Sequence, residues 1–90
     1  MEVMSREAKA VAMSNMLQSI AEQLVDEPNE VTVVIARCDG AIVLNLTVAA
    51  GDVGKVIGKQ GRTARSLRTI LGGVARKYAV TAELNIEELG

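Results

Sequence analysis

The residues of this chain that could do chemistry lie in one stretch, Gly51-Asp52-Val53-Gly54-Lys55-Val56-Ile57-Gly58-Lys59-Gln60-Gly61-Arg62. A short apolar segment ends in a glycine, two polar residues follow, and a second glycine opens a basic segment. Gly58 and Gly61 carry no Cβ, so a phosphodiester backbone can come within contact distance of the chain there. Lys59 and Arg62 supply point charge, and Gln60 can hydrogen-bond to a sugar or a phosphate. If a helix begins after Gly61, its free N–H groups and the positive end of its dipole favour a phosphate as well. Arg65, one helical turn further on, can reach the backbone of a bound strand. Lys55 either adds to that contact or is merely solvated. Val53, Val56 and Ile57 are core in any reading, and part of their surface offers an aliphatic groove for bases. The pattern points to a nucleic-acid strand held by its backbone.

Two rival chemistries fail on the same residues. A nucleotide-binding P-loop needs G-x-x-x-x-G-K-[ST], in which the hydroxyl holds magnesium. Here Gly54-Lys55-Val56-Ile57-Gly58-Lys59-Gln60 is one residue short and ends in glutamine. Catalysis finds no basis either, because the chain has no histidine, its acids are scattered, and no hydroxyl sits beside a base. Cys38 is the single cysteine. Without a second cysteine or a histidine it reads as a small apolar packing residue, and neither a metal nor another cofactor is expected.

The formal net charge of −1 hides a strong asymmetry. From Gly51 to Ala79 seven basic residues face Asp52 alone, a local charge of +6, whereas the other 61 residues hold three basic and ten acidic groups, or −7. Such a dipolar molecule can steer an anionic partner to one face. The plainer alternative is that the basic residues only solvate a helix; Arg68, Arg76 and Lys77 read that way.

The elements that must position the loop follow from periodicity. Met13, Met16, Leu17, Ile20 and Leu24 recur at steps of three and four, which predicts a helix over residues 5–25. Asp26-Glu27-Pro28-Asn29 ends it. A β-branched run from Val31 to Cys38 predicts a strand, and Asp39-Gly40 a two-residue hairpin turn. Ile42, Leu44, Leu46 and Val48 then alternate with Val43, Asn45 and Thr47 as a half-buried strand. Asp52 is placed to cap a short helix over 53–57. A longer helix follows Gly61 to about Tyr78, burying Ala64, Leu67, Leu71, Val74 and Tyr78 and projecting Arg62, Arg65, Thr69 and Arg76. Val80, Ala82, Leu84 and Ile86 mark a last strand. The order α-β-β-α-α-β predicts a single α+β domain over 1–90, a two-layer sandwich with helices on one face of the sheet. No apolar run approaches the roughly 20 residues of a membrane span, and the charged N-terminus is unlike a signal peptide. With one cysteine, a cytoplasmic location is expected.

Set between two helices in that order, the glycine pair becomes specific. The segment VGKVIGKQGRTARSLRTIL, from Val53 to Leu71, resembles the signature of KH domains, whose G-x-x-G loop clamps about four nucleotides. The element order resembles the type II KH arrangement, which implies a three-stranded mixed sheet with the family's two core strands parallel. From about Met16 to Glu87, including LVDEPNEV at Leu24–Val31, the chain is similar to the bacterial KhpA family of single-KH proteins. The resemblance implies binding of single-stranded RNA, RNA chaperoning, and self-association or pairing with a KhpB-type KH protein. In some bacteria it also implies a link to cell elongation and the envelope. A protein-interaction module that recruits a partner, with RNA secondary, is the alternative function.

Two features depart from the family pattern. Residues 1–12 extend past the usual start and read as a frayed helix end. Gly72-Gly73 falls mid-helix, where each glycine costs up to about 1 kcal/mol relative to alanine. It is either a tolerated weak point or a thinned face that lets a second chain approach.

Overall fold

The computed structural model of the chain describes residues 3–90. Helix α1 spans Arg6–Leu24, strand β1 Thr32–Arg37, β2 Ile42–Val48, helix α2 Val53–Ile57, α3 Arg62–Lys77 and β3 Ala82–Glu88. This is the α+β order read from the sequence, with three strands in one mixed sheet ordered β1-β2-β3. β1 and β2 are antiparallel, and β2 and β3 are parallel in a register that sets Ile42 beside Ala82 and Leu46 beside Ile86. The parallel pair is the one that encloses α2 and α3, since parallel neighbours need a crossover of a dozen or more residues.

The alternation in β2 is fully expressed. Ile42, Leu44, Leu46 and Val48 are all 0 % exposed and form the floor of the core. Burial of each such side chain contributes about 1.5–3 kcal/mol. Ala10, Met13, Leu17 and Ala21 of α1 and Leu67, Leu71 and Ala75 of α3 join that floor in one buried cluster, and Ala64 of α3 is buried as well. Small residues share the core with the large ones: Ala10, Ala21 and Ala75 are buried, whereas Leu24, assigned to the buried stripe, is 37 % exposed. Val74 and Tyr78 are only half-buried at the margin.

The hairpin departs from the expected two-residue turn. A bulge shifts the register between the Ile35–Leu44 and Arg37–Val43 pairs, and Cys38 to Ala41 form the connection, with Gly40 at φ 73°. A bulge lets one strand carry an extra residue without exchanging its inner and outer faces for the rest of the pairing.

The described part of the N-terminal segment, read from the sequence as a frayed helix end, is helical from Arg6 and bonded to the rest of the domain. Ser5 caps α1 by accepting the Ala8 N–H at 3.0 Å, and Ala10 is buried. The Arg6 guanidinium donates to Gly40 O at 2.6 Å, and Lys9 Nζ donates to Tyr78 O at 2.7 Å. The second bond brings a cation to the C-terminal end of α3, where the helix dipole favours it. Met1 and Glu2 lie outside the described residues. Removing residues 1–12 is expected to lower the unfolding free energy by about 1–3 kcal/mol, through the lost Ala10 packing and the two cation–carbonyl bonds. Urea denaturation measures this, and an unchanged midpoint would show that the segment contributes nothing.

Candidate nucleic-acid interface

The loop between α2 and α3 is built from three residues with positive φ. Gly58 has φ 78° and ψ 170°, Gln60 φ 57°, and Gly61 φ 74°. This sequence of conformations turns the chain from one helix into the next within four residues. The two glycines serve different needs. A Cβ on Gly58 would collide with the Thr63 hydroxyl and would also lie 2.8 Å from the Thr63 backbone nitrogen, whereas a Cβ on Gly61 would meet nothing within 4 Å. Gly58 is therefore required by both space and conformation, and Gly61 by conformation alone.

The backbone donors of this loop are not those expected from the sequence. The Gly61 N–H is spent on Gly58 O at 3.1 Å and the Arg62 N–H on Lys59 O, so the first amides leading into α3 are already satisfied. Among the described residues, the Lys59 and Gln60 N–H groups have no such backbone partner. A short helical turn at Lys59–Gly61 causes the exchange, moving the free donors to the tip of the loop. Lys59, Gln60 and Arg62 are exposed, and Arg62 reaches back to Gln60 Oε1 at 3.1 Å.

Asp52 also departs from its expected role. Its φ and ψ of −102° and −8° are helical, and its side chain makes no cap bond to α2. An N-cap residue needs extended geometry to fold its oxygen over the first turn. The Asp52 carboxylate is instead buried and accepts the N–H groups of Asp26 at 3.2 Å and Glu27 at 2.9 Å. It fastens the start of the α1–β1 connection to the start of α2. The same two N–H bonds account for α1 ending at Leu24, ahead of the residue that Pro28 restricts.

Lys55, expected beside a phosphate, sits 3.2 Å from Asp26 and 3.9 Å from Asp52. Among the described residues every ion pair involves Lys55, so Lys59, Arg62 and Arg65 keep uncompensated charge on the exposed side of the loop and α3. Val56 is 0 % exposed and belongs to the core, so the aliphatic groove assigned to Val53, Val56 and Ile57 keeps only the half-buried Val53 and Ile57. Arg68, read from the sequence as solvated, crosses from α3 to donate to Leu84 O of β3 at 3.1 Å. It overhangs an open cleft of about 260 Å³ lined also by Leu71, Ala82, Glu83, Leu84 and Asn85. Its helical position beside Leu67 and Leu71, on the border of the buried face, was the signal available in the sequence. No group of metal-ligating side chains occurs among the described residues, nor is any helix long and apolar enough to cross a membrane.

A glycine-bounded loop joining two helices over a three-stranded mixed sheet defines a KH domain. The sequence model described as "KhpA/KhpB, KH domain" matches residues 14–86, and the chain belongs to that family. Proteins named RNA-binding protein KhpA are similar over most of their length. That of Treponema pallidum is 53 % identical over 67 residues, covering 74 % of this chain and 84 % of the relative. That of Clostridium acetobutylicum is 48 % identical over 65 residues, 72 % of this chain and 87 % of the relative. The Chlamydia trachomatis protein is 43 % identical over 76 residues, 84 % and 97 %. No solved structure matches the chain significantly. The family is one of binding domains, not of enzymes.

The two glycines predict unequal costs. Gly61→Ala is expected to destabilise by about 1–2 kcal/mol, the cost of a left-handed residue with a Cβ. Gly58→Ala adds overpacking of roughly 1–3 kcal/mol to that cost, because turning the Thr63 side chain does not move its backbone nitrogen. Thermal or urea unfolding of the two variants compares them directly, and equal losses would contradict the close approach at Thr63.

Proposed function

We propose that this chain binds single-stranded RNA, gripping the strand by its backbone at Gly58-Lys59-Gln60-Gly61 with low sequence specificity. The observation that carries the reading is the loop tip itself. Two backbone N–H groups without a backbone partner, at Lys59 and Gln60, are flanked by the exposed and unpaired cations Lys59, Arg62 and Arg65. A phosphodiester needs donors and positive charge together, with no side chain in the way, and the glycines leave the backbone accessible. Val53 and Ile57 supply apolar surface for bases beside it, and the Lys55 charge is shared with Asp26. The relatives named as RNA-binding proteins support the same ligand.

The chain lacks an aromatic platform, since Tyr78 is its only aromatic residue. Bases stacked on aromatics elsewhere gain about 1–3 kcal/mol each. A single domain therefore binds weakly, and useful affinity comes from two copies acting together, as a homodimer or with a KhpB-type KH protein. The exposed Ile70 and the side-chain-free Gly72-Gly73 pair, over which only the end of the flexible Arg76 side chain lies at 3.9–4.0 Å from a Cβ position, suit a second chain. Gly73→Leu is expected to shift the protein toward monomer in analytical ultracentrifugation, and an unchanged mass would remove this surface from the account. A cytoplasmic RNA chaperone acting on cell elongation or the envelope is the physiological role that fits such a weak, paired binder. The alternative, a module that recruits a protein partner, separates from it by the loop variant below, which would leave partner recruitment intact.

Replacing Lys59 and Gln60 together by Asp is expected to keep the fold, because both side chains are exposed, and to abolish RNA binding in a gel-shift assay. Undiminished binding by that variant would overturn the site. For the unaltered chain, three phosphate contacts correspond to a slope of about −2 for log K against log salt on single-stranded RNA. Fluorescence anisotropy across a salt series reads this slope, and a slope near zero would rule out backbone capture.

A further inference from the structure

The crossing of Arg68 to β3 has a consequence for which base the cleft beside it accepts. In the parallel ladder, Ile42 N donates to Thr81 O at one end and Leu89 N to Val48 O at the other, both at 2.8 Å. Backbone groups alternate in direction along a strand, so Thr81, Glu83, Asn85, Glu87 and Leu89 turn theirs to β2. Ala82, Leu84 and Ile86 turn theirs to the unpaired edge. The edge acceptor nearest the cleft, Leu84 O, is then covered by Arg68 at 3.1 Å. A guanidinium has five N–H donors and no acceptor, so the remaining N–H groups of Arg68 make this wall of the cleft a donor surface.

We infer that Arg68 is a specificity-determining residue, which makes the α3–β3 cleft prefer guanine over adenine at one position of a bound RNA strand. The inference rests on the strand-gripping reading above. The cleft floor of Leu71, Ala82 and Leu84 is apolar and suits the flat face of a base. Glu83, an exposed residue of the cleft lining, carries a carboxylate that repels phosphate, which favours a base over the backbone inside the cleft. Arg68 lies six residues after Arg62, roughly 9 Å along the helix axis, which is within reach of a strand held at the loop. Guanine offers two neighbouring acceptors, O6 and N7, which match a planar guanidinium fork. Adenine sets an N6 amino donor beside its N7, and that donor faces the N–H groups of Arg68 without an acceptor to meet. Lysine could not replace Arg68 here, being a single point charge without the fork.

The test uses the full chain and fluorescein-labelled octauridine oligonucleotides carrying one central guanine, adenine or 7-deazaguanine, with affinity read by anisotropy. The expected result is at least about fivefold tighter binding of the guanine strand than the adenine strand, the lower end for a bidentate arginine–guanine pair. The 7-deazaguanine strand, which lacks the N7 acceptor, should lose that preference with the unaltered protein. Arg68→Lys should bring guanine and adenine within about twofold while adenine-strand affinity changes little. Equal guanine and adenine affinities, an undiminished 7-deazaguanine strand, or a preference kept by Arg68→Lys would each overturn the assignment. Binding of all strands without discrimination defeats this inference and spares the proposed function. Binding of none defeats both.

Discussion

Parallel pairing of β2 with β3 is the constraint from which the rest of the structure follows. Two parallel neighbours cannot be joined by a tight turn, so the chain must leave the end of β2 and return to the start of β3. Here the return is made by two helices, a short α2 and a long α3. The bend between them has only Gly58 to Gly61 in which to be made, and it uses positive φ at Gly58, Gln60 and Gly61. The contact of Gly58 with Thr63 shows how tight the bend is. A side effect of the tightness is chemical. The turn spends the amides that lead into α3 and leaves those of Lys59 and Gln60 without a backbone partner.

Charge is sorted by the same architecture. The acids of the α1–β1 connection come to the base of α2, where Asp52 holds the Asp26 and Glu27 amides and Asp26 engages Lys55. One cation is thereby paired at the start of α2, while Lys59, Arg62 and Arg65 remain available beyond it. Exposed ion pairs contribute little to stability, so the buried Asp52 bonds, not the Lys55 pair, fix this corner. On the far side of α3, Arg68 is engaged by the β3 edge. The positive field thus has a free part at the loop and an engaged part on either side of it.

Much of this was legible in the sequence, because periodicity reports directly on burial. The alternation from Ile42 to Val48 and the steps of α3 placed the floor and roof of the core, and the glycine pair located the loop. Sequence similarity then fixed the fold family. What stayed hidden depends on contacts between segments far apart in the chain. The carboxylate of Asp52 is a plausible cap until the chain 25 residues earlier supplies better donors. Lys55 reads as free until Asp26 is folded against it. Val56 resembles Val53 in composition, and only packing decides which is enclosed. The docking of residues 6–12 relies on carbonyls of Gly40 and Tyr78, and a carbonyl leaves no trace in residue type.

The central claim, that the tip of the α2–α3 loop receives the RNA backbone, is most directly tested by titrating the ¹⁵N-labelled protein with a short single-stranded RNA. The amide resonances are followed by heteronuclear NMR. The account predicts that the largest shifts occur from Gly58 to Arg62, led by the free Lys59 and Gln60 amides, with smaller changes along α3 toward Arg68. Shifts confined to the open face of the sheet around Val34 and Asn45, with the loop amides unmoved, would contradict it.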